Sequence, residues 1–378
     1  MSRFGFLARR LRLPVASGLG AVLLLAQGGV AGATRLAAPS TSSVTGWVID
    51  NQPTVPDFTP PGRLQYNSTG QANTIQRTAT GAYTIEFPGL QFHGGSVSVT
   101  SVGPAAAACE VVTWAKTTTG TGQQVKVACF APSGSPADAE FDAAYTGLPG
   151  TATPTATVAY VKIDTPTAKE HFPDSDDWYA TFASTGPVAT HVGTGRYRIR
   201  FPGLDLNGGT VAVTAWGSNG ATCRIVSWAG TSNGEVFNIA CTGPGGMPLN
   251  TRVDLSFSDG NDYLGLNNVE QGYAFANRST TSSYTPPAAY SQDEVLAGTP
   301  AVTIARQGTG AYRVDFAAAA DPGGYVQVTA YGSASNMCQA ARWAKSNADE
   351  VVSITCRTAA GTPADTKFTI QFAGTPYS

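Results

Sequence analysis

The sequence predicts an all-β protein made of three tandem antiparallel β-sandwich modules of about 100 residues, with one disulfide in each module. Three observations lead to this prediction. One sequence pattern occurs three times, apolar and polar residues alternate with period two inside it, and two cysteines recur in every copy. A small barrel or a jelly roll is the alternative arrangement for strands of this kind.

The repeated pattern delimits the modules. Each copy contains a Gly-x-Tyr-x-(Ile/Val)-x-Phe strand, a Gly-Gly pair and a Cys-x4-Trp pattern that is followed by a second cysteine. The predicted modules span residues 46–147, 159–260 and 272–378. The other predicted segments are a signal peptide (1–33), an N-terminal linker (34–45), a Pro/Thr-rich linker (148–158) and a linker with apolar residues able to pack on its neighbours (261–271).

The N-terminal segment has the layout of a secretory signal peptide. A basic start precedes an apolar stretch, Val15 to Ala26, and a small-residue cleavage site, Ala31 to Ala33. The apolar stretch is too short to span a bilayer, so we expect a secreted protein without membrane insertion, exported by the general or the twin-arginine route. Its removal takes away four arginines and changes the formal net charge from −2 to −6. Together with the absence of a Lys/Arg cluster, this charge argues against nucleic acid as a partner.

Within a copy the pattern is that of short strands. Tyr197, Ile199 and Phe201 alternate with arginines, and Val211 and Val213 alternate with small or polar residues. Such alternation is typical of strands with one face in a core and the other in water. The repeated tyrosines share the apolar face and are therefore predicted to be core residues: Tyr83, Tyr197 and Tyr312.

Six cysteines in an exported chain, two per copy, predict three local disulfides. The predicted pairs are Cys109–Cys129, Cys223–Cys241 and Cys338–Cys356. In a hairpin with the cysteines opposite each other, Val111 faces Val127 and Thr113 faces Val125. Strict alternation then puts Trp114 on the face opposite Cys109. A zinc site would need Cys-x2-Cys pairs or nearby histidines, so no metal or other cofactor is predicted.

Three aromatic residues are candidate binding residues. Trp216 and Tyr331 each end a Val-x-Val-Thr-Ala strand, and alternation points both outward. The first copy has Val102 at this place, so the scaffold does not require an aromatic side chain there. Trp178 is the third candidate. Exposed rings of this kind stack on sugar rings or on the side chains of a partner, and packing against a neighbouring loop is the alternative.

Trp178 ends an acidic run that begins at Glu170 and is not recognised in the other copies. Its carboxylates are a weak candidate for a Ca²⁺ site: Asp174, Asp176 and Asp177. The run lacks the spacing and the glycine of an EF-hand loop, and a solvated acidic loop is the alternative.

The sequence gives no sign of a catalytic centre. It has neither a Gly-x-Ser-x-Gly elbow nor a His-Glu-x-x-His helix, and its carboxylates have no spacing that marks a glycosidase pair. Near-equal modules also offer no obvious single cleft. We therefore predict no catalytic residues.

The order Thr80 to Leu90, then Gly-Gly, Val-x-Val-Thr and Cys-x4-Trp, resembles the tandem β-repeats of secreted proteins from high-GC bacteria. This resemblance covers nearly all of the chain after the signal peptide. It implies an exported β-repeat protein and brings no activity or site residues with it. The third copy departs from the pattern, because Ala317 to Ala319 replace Pro-Gly-Leu.

These observations predict a secreted, non-catalytic, multivalent binding protein for polysaccharide or for a cell-surface or other protein partner. Tandem modules raise avidity when each engages a repeated ligand. The alternative is a structural protein of the extracellular matrix or envelope, and a secreted hydrolase comes third.

Overall fold

The computed structural model describes residues 44–148, 157–181, 185–204, 206, 208–260, 264, 266, 269–295, 298 and 301–376, and this part of the chain is all-β. The predicted signal peptide and most of the predicted N-terminal and Pro/Thr-rich linkers lie outside these residues.

The strands follow the three repeats. Those of the first repeat are β1 (Val44–Asp50), β2 (Asp57–Phe58), β3 (Gln65–Asn67), β4 (Thr74–Ala79), β5 (Ala82–Pro88), β6 (Ser96–Ser101), β7 (Ala108–Lys116), β8 (Gly122–Phe130) and β9 (Phe141–Gly147). Those of the second are β10 (Thr157–Ile163), β11 (Glu170–His171), β12 (Trp178–Ala180), β13 (Val188–Gly193), β14 (Arg196–Phe201), β15 (Thr210–Trp216), β16 (Thr222–Thr231), β17 (Gly234–Thr242) and β18 (Arg252–Asp259). Those of the third are β19 (Gln271–Ala276), β20 (Ser283–Tyr284), β21 (Ser291–Glu294), β22 (Val302–Gly308), β23 (Ala311–Phe316), β24 (Tyr325–Tyr331), β25 (Asn336–Ser346), β26 (Asp349–Thr358) and β27 (Lys367–Ala373). Short 3₁₀ helices occupy Gly62–Leu64, Pro244–Gly246 and Ala288–Tyr290.

Each repeat forms two sheets that pack face to face. In the first repeat we call β3-β1-β9-β6 the inner sheet and β7-β8-β5-β4-β2 the outer sheet, and the other repeats have the equivalent inner and outer sheets. Ile85 and Phe87 of the outer sheet share one buried cluster with Val99 and Phe141 of the inner sheet. The second and third repeats have corresponding clusters. The predicted β-sandwich architecture is therefore confirmed.

The three predicted disulfides are present, each across the hairpin that begins the outer sheet. Each closes a loop of 18 or 20 residues, which by loop entropy stabilises the fold by roughly 3 kcal/mol. Val111 faces Val127 as predicted. The next predicted pair is wrong, because a β-bulge follows Val111 and Thr113 pairs with Lys126.

The bulge also corrects the predicted position of the repeated tryptophans. Trp114 pairs with Val125, two residues from Val127, and therefore lies on the same face as Cys109 and not on the opposite one. Trp228 and Trp343 follow the same bulge in their repeats. All three indole N–H groups donate a hydrogen bond to the first glycine of the Gly-Gly pair in their own repeat: Trp114 to Gly94 O (3.3 Å), Trp228 to Gly208 O (3.1 Å) and Trp343 to Gly323 O (3.1 Å).

The inner sheets differ most from the sequence-based expectation. Alternation predicted one face in a core and one in water, but β6, β15, β9, β18 and β27 are buried on both faces. Thr214 and Asp254, which were expected on the solvent face, are 4% and 2% exposed. The second face of each inner sheet is covered by the neighbouring repeats.

The repeats close a ring in which each makes the same contact with the next. The outer strand β7 pairs in parallel with β15 of the second repeat through Val111 and Trp216. Strand β16 pairs with β24 of the third repeat through Ile225 and Tyr331. A bridge between Ala340 in β25 and Val102, just after β6, completes the cycle. Of the two units into which the chain divides, Met1–Pro39 lies outside the described residues and Ser40–Ser378 is one compact unit.

Polar groups from the three inner sheets bond to one another at the centre of this ring. Thr214 Oγ1 accepts a hydrogen bond from Val99 N–H (3.2 Å), and two further pairs repeat this contact: Val213 N–H to Thr329 Oγ1 (3.1 Å) and Val328 N–H to Thr100 Oγ1 (3.1 Å). Because buried backbone groups must be paired, the repeated threonine serves the interface between repeats.

The predicted linker at residues 261–271 contributes to this packing. Leu264 and Leu266 are 2% and 4% exposed and belong to a buried cluster with Trp47 of the first repeat and Tyr325 of the third. Within the described residues, no helix is long and apolar enough to cross a membrane.

Candidate functional site

Trp216 does not point outward, and this expectation is corrected. The side chain is 8% exposed, its indole N–H donates to Val112 O (2.7 Å), and its ring centroid lies 5.0 Å from that of Trp114. Arg252 and Lys162 place their cationic groups over the ring at 4.3 and 5.0 Å. Trp216 is thus an interface residue between the first two repeats and is not available as a platform for a ligand.

Tyr331 occupies the equivalent place between the second and third repeats. It is half-buried, and its ring centroid lies 4.7 Å from that of Phe275 and 5.5 Å from that of Trp228. In the first repeat this position is Val102, which bridges to the third repeat and is 7% exposed. The aromatic character of the strand end therefore follows from the neighbouring side chains in each interface.

Trp178 lies on the short edge strand β12, opposite Val161, and packs against the core of the second repeat while staying half-buried. A Cβ atom at Gly186 would lie 3.2 Å from its ring, so one part of the indole is covered by that glycine. The remaining exposed part keeps Trp178 a candidate contact residue.

The acidic run has counterparts in the other repeats, contrary to the prediction. The carbonyl of Asp176 lies against Gly94 of the first repeat, as Ala289 lies against Gly208 and Arg63 against Gly323. The run is therefore the second repeat's version of the turn that is a 3₁₀ helix in the other two.

The acidic residues of the run do not share a partner. Asp177 pairs with Lys162 (2.7 Å) and Asp176 with Nδ1 of His93 (2.7 Å), while Asp174 uses its carbonyl to accept a bond from Asp177 N–H (2.9 Å). Among the described residues, no group of three or more His, Cys, Asp or Glu side chains is arranged to hold a metal ion. The arrangement of these side chains gives the Ca²⁺ candidate no support.

Buried acids with a raised pKa also lie at the interfaces. Burial raises the pKa of Glu110 and Asp254 to about 7, and the pKa of Asp142 well above its usual range. Such shifts mark many catalytic acids. Here the carboxylates accept bonds from backbone N–H groups of a neighbouring repeat, at Gly220 (2.7 Å), Val97 (2.9 Å) and Val326 (2.7 Å) respectively. They are 1%, 2% and 0% exposed, so they hold the repeats together and do not face a substrate.

One cavity lies at the centre of the ring. It has a volume of 60 Å³ and is lined by the same positions in each repeat, among them Thr100, Thr214 and Thr329.

A concave feature lies on the outward face of an outer sheet. A groove of 440 Å³ follows the first repeat and is lined by side chains that include Thr59, Gln76, Thr84, Glu86 and Lys126. The pairing of the strands gives every repeat the same positions on its outward face, since β5, β14 and β23 lie in the same place in their sheets.

The chemistry of this outward face differs between the repeats. The central strand carries Thr84 and Glu86 in the first repeat, Arg198 and Arg200 in the second, and an ion pair between Arg313 and Asp315 (2.6 Å) in the third. A further difference is Phe172, which follows β11, is 66% exposed and occupies the place of Thr59. Sequence reasoning missed these side chains, although the alternation of Arg196, Arg198 and Arg200 with core residues already marked them as outward.

No protein family, curated protein or solved structure was found to match this chain.

Proposed function

We propose that the protein is an exported, non-catalytic binding protein that presents three outward β-sheet faces to polysaccharide or to a surface partner. Export is supported by the layout of the first 33 residues and by the disulfides of all six cysteines, which are typical of oxidising compartments.

One observation carries the proposal. The repeats share the threonine contact at the centre of the ring, and they differ where the outer sheets face solvent. Thr100, Thr214 and Thr329 make the same contact around the centre. On the outward face, by contrast, position-equivalent residues change from Thr84 to Arg198. Packing dictates the first set and leaves the second free to serve recognition.

The ring arrangement determines how the three repeats can engage a ligand together. The sequence predicted modules on spacers, which would engage a ligand independently. Because Ser40–Ser378 is one compact unit, the three faces are held in fixed directions instead. A fixed arrangement lowers the ordering cost of binding to a large surface or to an extended polymer.

The first test is a pull-down of the chain from Thr34 to Ser378 on insoluble chitin, cellulose and bacterial cell wall. Retention that is reversed by soluble fragments of the same polymer supports a binding protein and indicates its ligand. Elution of reduced, unfolded protein in the unbound fraction is the control for adsorption. If neither these matrices nor soluble acidic polysaccharides bind the folded protein, binding of polysaccharide is ruled out, and a protein partner or a structural role in matrix or envelope takes its place.

A further inference from the structure

The outward face of the second repeat carries three arginines in one column. Arg196, Arg198 and Arg200 alternate with core residues along β14, the middle strand of its outer sheet. Side chains two residues apart on a strand point to the same face and lie roughly 7 Å apart. Arg196 and Arg198 are exposed, and Arg200 is half-buried.

Among the residues that the structure describes, no carboxylate forms an ion pair with these guanidinium groups. Arg198 Nε donates to Asn238 Oδ1 (3.3 Å), and Arg200 donates to the carbonyl of Asn233 (3.2 Å). None of the ion pairs found among the described residues includes an arginine of this column. In the third repeat, by contrast, Asp315 neutralises Arg313, the counterpart of Arg198.

An exposed aromatic ring borders the column. β11 pairs with β13 so that His171 lies opposite Ala189, and Phe172 follows at the level of Val188. Val188 in turn is the partner of Arg200. In the first repeat the residue at the place of Phe172 is Thr59, which lines the groove. The same place in the second repeat thus combines an aromatic ring with two arginines whose only partners given above are the neutral groups of Asn238 and Asn233.

We infer that this outward face of the second repeat binds a polysaccharide whose sugar rings carry anionic groups. The guanidinium groups of Arg198 and Arg200 pair with successive anions, because arginine binds carboxylate, sulfate and phosphate through two parallel N–H donors. Phe172 stacks on the apolar face of a sugar ring. This inference rests on the proposed function and names the ligand class for one of its faces.

Charge supports an acidic polysaccharide over nonspecific attraction to polyanions. The chain without its first 33 residues has a formal net charge of −6, so the molecule as a whole repels them. Binding then depends on local side chains. Glu170 lies near the column, because it is the strand neighbour of Thr190, which in turn is the strand neighbour of Arg198. Its negative charge reduces the attraction between this face and an anion.

The experiment measures the affinity of the chain from Thr34 to Ser378 for polygalacturonate and dextran sulfate, with uncharged dextran as the neutral polymer. We expect the double variant R198A/R200A to lose binding by roughly tenfold or more, as expected for charge-assisted hydrogen bonds. F172A is expected to lose roughly threefold to tenfold, and E170Q to bind more tightly. R313A is the control, since it removes the arginine at the position of the third repeat that is equivalent to Arg198, and it should bind like the wild type. The thermal unfolding of each variant verifies its fold.

The polymer that binds, polygalacturonate or dextran sulfate, identifies the anion as carboxylate or sulfate. The inference is overturned if R198A/R200A binds as tightly as R313A, if uncharged dextran binds as well as the charged polymers, or if single-stranded DNA competes equally. If neither charged polymer binds while chitin, cellulose or cell wall retains the protein, the inference is wrong and the proposed function stands.

Discussion

At the scale of single residues, the repeated side chains have a physical reason at each position. The tyrosines are core residues as predicted, and their hydroxyl groups accept bonds from the backbone of the strand connection: Tyr83 from Ala139 N–H (3.3 Å), Tyr197 from Thr251 N–H (2.9 Å) and Tyr312 from Thr366 N–H (3.0 Å). The bulged Trp of the Cys-x4-Trp pattern could not be placed from its sequence, because period-two alternation holds only in a regular strand.

The turn after the tyrosine strand gives the first prediction. It needs a left-handed residue, and Gly89 (φ 79°) and Gly203 (φ 83°) supply one, whereas the third repeat uses Ala318 (φ 62°). This conformation costs an alanine about 1–2 kcal/mol, part of which is offset because glycine has more freedom in the unfolded chain. We expect A318G to raise the free energy of unfolding by about 0.5–1 kcal/mol, measured by chemical denaturation.

The neighbouring variant A317G is the control for this prediction. Ala317 is not in the left-handed region, so glycine there adds only freedom to the unfolded chain and should not stabilise. If A318G is no more stable than the wild type, then the alanine is not strained at this turn.

At the scale of elements, alternation predicted the strands and the disulfide hairpins but not the environment of the inner sheets. A period of two identifies the residues that share a face, and it does not say what covers that face. Small and hydroxyl residues on the second face of β6 and β15 therefore suggested water. A signal was nevertheless present, because none of the residues in β6, β15 and β24 is charged.

The Gly-Gly pair gives the second prediction, since it combines two different requirements. The second glycine has a positive φ in every repeat, as at Gly324 (φ 87°). The first allows close approach of the next repeat, and a Cβ atom at Gly323 would lie 1.8 Å from the carbonyl oxygen of Arg63. We expect G323A to lower the free energy of unfolding by about 2–3 kcal/mol, because the interface must open to accept the methyl group. Thermal and chemical unfolding measure the effect.

A control for this prediction comes from the other side of the same interface. Gly62 lies in the 3₁₀ helix that contains Arg63, its φ is not positive, and a Cβ atom there would meet nothing within 4 Å. G62A should therefore unfold within about 0.5 kcal/mol of the wild type. If G62A and G323A lowered the free energy of unfolding equally, the close approach at Gly323 would not be the cause of the loss.

At the scale of the whole molecule, the three interfaces between repeats are held by different side-chain hydrogen bonds at equivalent positions. Equivalent positions in the cysteine strands carry Glu110, Arg224 and Gln339. Glu110 accepts a bond from Gly220 N–H, whereas Arg224 donates to Gly332 O (3.2 Å) and Gln339 to Gly103 O (2.7 Å). An acceptor cannot replace a donor in a buried contact without leaving polar groups unpaired. The order of the repeats around the ring is thus specified by side chains that one sequence pattern could not reveal.

Buried acids, of which Glu110 and Asp254 lie at these interfaces, give the last prediction, a dependence of stability on pH. Burial raises the pKa of Asp50 to about 6, of Glu110, Asp254 and Asp293 to about 7, and of Glu350 to about 8. The folded protein therefore binds more protons than the unfolded chain between pH 4 and pH 8, and its stability falls as pH rises through that window. Below pH 4 the sign reverses, because Arg77 and Arg306 lower the pKa of Asp138 and Asp365. We expect the free energy of unfolding to be highest near pH 4–5, measured by denaturation at constant ionic strength.

The variant D142N/D254N separates the interface from other causes of this dependence. Asparagine keeps the oxygen that accepts the N–H groups of Val326 and Val97 but does not ionise. The third repeat already uses a neutral residue at this position, since Thr369 Oγ1 donates to Val211 O (2.6 Å). One pKa unit corresponds to 1.36 kcal/mol, so a pKa of about 7 for Asp254 accounts for about 2–3 kcal/mol of the stability lost between pH 5 and pH 8, which this variant should no longer lose, and the raised pKa of Asp142 adds to the effect in the same direction. The variant D365N should keep the slope of the wild type between pH 5 and pH 8, because Arg306 lowers the pKa of Asp365 and its carboxylate is ionised throughout that window. An unchanged slope in D142N/D254N would mean that these two interface carboxylates do not cause the loss of stability between pH 5 and pH 8. The pH dependence of the free energy of unfolding would then come from other acids.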